Sequence, residues 1–139
     1  MFVLNVKTRA SAENDCVGKD SHLASIHSVE EIDFLNRATT GTQGMWIGGQ
    51  KKENSFQWLD GTKFDFTDWD GSQPNYFDGE NCLVMTYIWE TLKGKWHDVT
   101  CGHAFAYACK KPAIGNFCKN VWQLFLLWLT ILLLPIQLV

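Results

Sequence analysis

This chain of 139 residues predicts an α+β domain: two helices packed on small antiparallel sheets, with a long loop region. Three observations carry that expectation. Helical periodicity is confined to the N-terminal third. Short aromatic and β-branched runs fill the stretch from Met45 to Lys110. No strand–helix–strand alternation joins the two.

The opening MFVLNV is apolar and β-prone and reads as a strand. Residues 9–17, RASAENDCV, carry helix formers with Ala12 and Cys16 on one face, so a short helix is expected. A second helix begins at Ser28. Ser28 and Glu31 have capping-box spacing, and Val29, Ile32 and Leu35 follow at i, i+3 and i+6. The stretch Thr39 to Gly44 ends it. From Met45 the runs WIGG, SFQWLDG, FDFTDW, CLVMTYIW, KWHDV and AFAYACK read as strands separated by turn residues. Asp60-Gly61 is a hairpin signal between FQWL and Thr62-Lys63-Phe64.

Composition narrows the function. A formal charge of −3 advertises no basic surface, so nucleic acid is not an expected partner. Aromatics at 14%, including seven Trp, are too many for a disordered segment. Five Cys in a short chain point to an oxidising compartment, with metal binding as the other use of thiols. Acids crowd one segment: Asp60, Asp65, Asp68, Asp70, Asp78 and Glu80, with Lys63 the only base among them. Such a run is either a solvated loop or a hard-cation site. Residues 65–81 are also long for a connection inside a compact domain, and loops of that length are commonly functional. Trp69, Tyr76 and Phe77 are expected to anchor this one.

These residues fall in a recognisable order. Cys16 is followed by HLASIHSVEE at 22–31, Trp46-Ile47-Gly48-Gly49, Trp58-Leu59-Asp60-Gly61 and Trp69. Then come Gln73-Pro74-Asn75, Glu80-Asn81-Cys82, Trp96-His97-Asp98, Cys101 and Tyr107-Ala108-Cys109. The pattern resembles a C-type lectin-like domain and covers roughly residues 2–112, with the first strand clipped. About ten features in the right order carry the resemblance, and no single one would suffice. Four cysteines allow three pairings; the resemblance implies Cys16–Cys109 and Cys82–Cys101. Cys118 is left over, as a free thiol or an intermolecular bridge.

The resemblance also implies a carbohydrate-binding module whose sugar is held through one calcium ion. The ligands carried over are Gln73 and Asn75 flanking a cis-proline, Glu80, and Asp98. Calcium takes six to eight oxygens, and all four side chains offer them. Position 97 departs, being His where the family has Asn, and imidazole nitrogen suits calcium poorly. Only two of the four ligands are carboxylates, so a weakened calcium site is expected. Gln73, Asn75 and Glu80, with His97 and Phe77, form the expected sugar contacts, Phe77 by stacking. QPN is a mixture of the motifs that go with mannose-type and galactose-type sugars, with a slight lean to galactose from Phe77. The alternative is a calcium-independent domain of the same fold that binds proteins or surfaces through its loop.

An enzyme is not expected. His97, Asp98, Cys101 and His103 could be read as a zinc cluster, but their spacing matches no known ligand pattern. His22 and His27 are read as structural or solvated. The chain divides into a domain at 1–112, a linker at 113–120 and a hydrophobic tail at 121–139. That tail has no charge and just reaches the length of a membrane-spanning helix. Lys110, Lys111 and Lys119 on its N-terminal side would hold that side in the cytosol, against the topology a disulfide-bearing domain needs. The readings left open are a membrane anchor and a tail foreign to the domain. MFVLNV is too short an apolar run for a secretory signal, so the extracellular, secreted or membrane-anchored location rests on the cysteines and the resemblance. No Asn-x-Ser/Thr sequon occurs.

Overall fold

A computed structural model describes residues 2–38, 42–87 and 93–112. The elements run β1 (Phe2–Thr8), α1 (Arg9–Val17), β2 (His22–Leu23), α2 (Val29–Ala38), β3 (Gly44–Lys52), β4 (Ser55–Trp58), β5 (Glu80–Thr86), β6 (Trp96–Thr100) and β7 (Ala104–Lys110). Two helices and then strands is the expected α+β order. Linker 113–120, tail 121–139 and Cys118 lie outside the described residues, as does the end of the CLVMTYIW run at 88–89.

α1 buries Ala12 and Cys16, one face of the helix as the spacing predicts. At α2, Ser28 caps as read: its hydroxyl accepts from the Glu31 N–H at 3.3 Å. The Glu31 carboxylate reaches back one residue further than in a standard capping box, accepting from the His27 N–H at 2.8 Å. Ile32 and Leu35 then face the core.

The strands form one sheet in the order β1-β7-β3-β5-β6, with β2 against β7 and β4 against β3. The sheet is mixed, which corrects the expectation of wholly antiparallel sheets. β3 and β7 run parallel through Met45↔Ala106 and Trp46↔Tyr107, while every other paired strand is antiparallel. The run from Phe64 to Asp68 is in no strand, and Trp69 makes a single bridge to Trp96. Its alternating aromatics imitate a strand because Phe64, Phe66 and Trp69 all turn onto the core. Asp60-Gly61 closes a turn rather than a hairpin, Gly61 donating to Trp58 O at 3.2 Å with φ 74°. The hairpin lies earlier, at Glu53-Asn54, where Lys52 faces Ser55 and Glu53 has φ 56°.

Two packed groups make the core. One surrounds Trp96 with Ile26, Met45, Ile47, Trp58, Leu83 and Met85. The other joins Ala12, Leu23, Trp46, Val84 and Tyr107 around the cysteines. The Trp46 indole N–H donates to Lys7 O at 2.9 Å, so this large side chain is buried with its one donor satisfied. The Gly48-Gly49 pair is sterically required. A Cβ at Gly48 would lie 2.4 Å from Leu23 O, and one at Gly49 would lie 2.2 Å from a Leu83 methyl. Both implied disulfides are present, Cys16–Cys109 and Cys82–Cys101. The first joins α1 to β7, and the second ties β5 to the turn after β6.

Candidate functional site

The site stands on the β5–β6 pair, where Leu83 faces Asp98 and Val84 faces His97. Between β4 and β5 the chain leaves the sheet for the long loop, whose tip carries a cis Gln73–Pro74 bond. Asp98 is 1% exposed, so its carboxylate needs partners inside the protein. It finds them in that tip. Asp98 Oδ1 accepts from the Asn75 N–H and Oδ2 from the Tyr76 N–H, each at 3.0 Å. Charge-assisted bonds of this kind are the stronger class.

Two more bonds shape the tip. Gln73 Oε1 accepts from the Asn75 N–H at 3.2 Å, and Asn75 Oδ1 accepts from the Phe77 N–H at 2.9 Å, an Asx turn. Glu80 N–H then donates to Phe77 O at 3.1 Å and starts β5. The structure thus brings Gln73, Asn75 and Asp98 into one network, with Glu80 at the loop's return. Glu80 Oε2 is buried without a hydrogen-bond donor.

His97 takes a different course. Its Nε2 is 3.5 Å from Asp70 Oδ2, a charge contact too poorly aligned to count as a hydrogen bond, and the nitrogen is otherwise unpartnered. Phe77 is 65% exposed, so it is no anchor of the loop; its ring is available as a platform. Trp69 does anchor, packing tilted on Phe56 at 5.2 Å and edge-on to Trp96 at 5.7 Å. Tyr76 is exposed but not free of contacts: it lies 6.2 Å from Phe56, with Lys51 Nζ 5.2 Å over its face.

Sequence reasoning missed two residues here. Tyr76 acts through its backbone amide and holds φ 59°, which side-chain chemistry does not signal. Asp70 meets His97 across 27 positions, and only its place in the acidic run marked it. Asp68 is used similarly, paired with Lys95 at 2.5 Å.

The oxygen set suits a hard cation. Asp98, Gln73 and Asn75 each keep lone pairs beyond those given to amides, and the Glu80 oxygen is buried without a hydrogen-bond donor among the described residues. Nitrogen enters only at His97. Among the described residues no three His, Cys, Asp or Glu side chains converge as a metal-binding cluster, so any cation here would rely on Gln73 and Asn75 as well.

Comparison with known proteins matches the family described as Lectin C-type domain over residues 5–111. The chain is 42% identical over 118 residues to the alpha-N-acetylgalactosamine-specific lectin of Patiria pectinifera, covering 75% of this chain and 68% of that one. Among solved structures, a calcium-independent type II antifreeze protein superposes with a TM-score of 0.70 at 33% identity, covering 78% and 81% of the two chains. The cow C-type carbohydrate-recognition domain of CD23, determined in the presence of a GlcNAc2Man3 oligosaccharide, superposes with a TM-score of 0.70 at 33% identity, covering 81% and 85%.

Proposed function

The chain belongs to the C-type lectin domain family, and from that premise we propose that it is a carbohydrate-binding module whose cis-proline loop binds sugar with the help of a weakly held calcium ion. It is a binding domain and not an enzyme. The observation that carries the reading is the meeting of the Gln73–Asn75 tip with buried Asp98, while Glu80 keeps a desolvated carboxylate oxygen without a donor.

Gln73, Asn75, Glu80 and Asp98 would hold the ion, and calcium when bound would supply open coordination positions for two sugar hydroxyls. The chain's own residues do the rest. Amide and carboxylate groups of Gln73, Asn75 and Glu80 orient the hydroxyls by hydrogen bonds, and Phe77 offers its exposed face to the apolar side of a ring. His97 weakens the ion because it brings nitrogen and is drawn toward Asp70. The specificity of the Patiria relative supports a galactose-type ligand, N-acetylgalactosamine first, over a mannose-type one. Glycoproteins bearing that sugar are the proposed partners. Two disulfides support an extracellular setting; anchoring of the chain in a membrane through 121–139 would be a further proposal.

A second reading is favoured by the same network. Both Asp98 oxygens, Gln73 Oε1 and Asn75 Oδ1 already accept backbone amides, so the tip has its shape without a cation. The calcium-independent antifreeze relative supports it. On this reading the loop binds a protein or other surface directly. Binding of the oxidised full chain to an array of galactose-type and mannose-type glycans, in calcium and then in EDTA, separates the two. Loss of glycan binding in EDTA is expected; retained glycan binding in EDTA would remove the ion from the proposal, and no glycan binding in calcium would sink the lectin reading in favour of the second.

A further inference from the structure

The β3–β4 hairpin lies against the loop tip. In its register Lys51 faces Phe56, so the two side chains share one side of the hairpin. Phe56 is buried on that side, with the rings of Trp69 and Tyr76 centred 5.2 Å and 6.2 Å away. Lys51 stands at the edge of the covered face, half-buried, with its Nζ 5.2 Å from the centre of the Tyr76 ring. Tyr76 is itself placed by its backbone, whose N–H goes to Asp98 Oδ2 at φ 59°. The cation is thus set beside the residue that closes the tip onto the buried carboxylate. Its charge is not spent there. A ring face engages one side of an ammonium, and among the described residues no carboxylate lies within ion-pair distance of Lys51, whereas Lys95 is taken by Asp68. Tyr76 is 47% exposed with its hydroxyl unbonded, and Phe77, the next residue, is the exposed platform of the sugar site.

We propose that Lys51, held on the Tyr76 ring, is an anion subsite at the rim of the sugar site, and that it selects galactose-type glycans carrying an acidic substituent, a sulfate ester or a carboxylate. The inference rests on the sugar reading and narrows its ligand class.

The chemistry of the two groups fits that class. Sulfate and carboxylate oxygens accept from an ammonium in the charge-assisted way that is stronger than a neutral bond, and the Tyr76 hydroxyl is a second donor beside it. The Lys51 stem lies along the aromatic face, so part of its freedom is already lost before a ligand arrives. The acids of the tip do not cancel the charge: Asp98 gives its oxygens to two amides, and Asp70 faces His97. Glu53 in the hairpin turn and Asp78 beyond Phe77 are exposed and repel an anion only through solvent. They hold the preference to the size of an exposed ion pair.

The test is calorimetry of the full oxidised chain in calcium with three glycans on one core: a neutral galactose-type oligosaccharide, its sulfated form and its sialylated form. At low salt an acidic form should bind about threefold to fivefold tighter than the neutral one, and the ratio should fall toward one at high salt. Lys51→Gln should bring the ratio to one or below, while Lys51→Arg, which keeps a charge that stacks on rings, should preserve it. A gain confined to the sulfate, or to the carboxylate, supports the subsite and identifies its source. Acidic forms that bind no better than the neutral one overturn the subsite and leave the sugar reading standing. So does an acidic preference that persists in Lys51→Gln. Binding of none of the three overturns both.

Discussion

Around the Cys16–Cys109 bond, α1, β2 and β7 are joined by apolar side chains that are almost wholly buried, with a covalent link across 93 positions. The limb from Thr62 to Gly79 is held otherwise: by Asp65, Asp68 and Asp70 meeting His27, Lys95 and His97, by two amides on Asp98, and by aromatic edges against Trp96. The first region keeps its shape mainly through apolar burial and a covalent link, with the ion pairs of Glu13 and Asp15 at its edge. The second depends on a few directional contacts, each of which one substitution removes. A binding site built from backbone amides and short side chains is thereby free to vary while the body stays the same.

The sharpest test of this contrast is the body's covalent link. Replacing Cys16 and Cys109 by Ala should cost roughly 4–5 kcal/mol of unfolding free energy, because the unfolded chain regains a loop of about ninety residues. Urea unfolding reads it, and a small change would mean that apolar burial alone holds the body.

Asp98→Ala should come next, at about 2–4 kcal/mol, since it strands the Asn75 and Tyr76 amides and empties a buried site. Hydrogen exchange should show those two amides unprotected while Trp46 and Tyr107 stay protected. If the tip amides keep their protection, the loop is held by something other than Asp98.

Smaller effects belong to the ion. Glu80→Ala removes one of two carboxylates and should weaken calcium about tenfold, whereas His97→Asn restores an amide oxygen and should tighten it about threefold. Sugar affinity must move in the same direction in each variant, because the two equilibria are linked. Calorimetry of both ligands checks this. Unchanged calcium affinity in His97→Asn would undo the four-residue ligand set and favour the calcium-free reading.

The smallest effect is a sensitivity of the body to acid. Asp15 is pushed down to about 2, first by its hydrogen bond with Lys19 and then by that with Tyr107. A lowered carboxyl contributes its stability above the unfolded value, near 3.9, and loses it as pH falls toward about 2. Asp15→Asn should therefore flatten the stability profile between about pH 4 and pH 2 and lower it by a constant amount, without changing its slope, above pH 5. A slope that survives the substitution belongs to other carboxylates.

The helices were legible because their signals are local. Ser28 with Glu31 marks a helix start wherever it occurs, and Ala12 with Cys16 marks a buried face. The disulfides were legible only through the resemblance, since spacing left three pairings open. Phe64, Phe66 and Trp69 misled because alternation reports burial on one side, and a loop lying on a core satisfies that as well as a strand does.

By itself, then, the sequence determined two helices followed by strands and the residue types at the loop tip. These follow from near-neighbour periodicity and steric demand. Only the tertiary structure decided that β3 and β7 run parallel, that Asp98 grips Asn75 and Tyr76 by their amides, and that His97 turns to Asp70. Each of these joins positions more than twenty residues apart. Their geometry is set by how the whole chain packs, and a backbone N–H, which nearly every residue carries, leaves no mark in the letters.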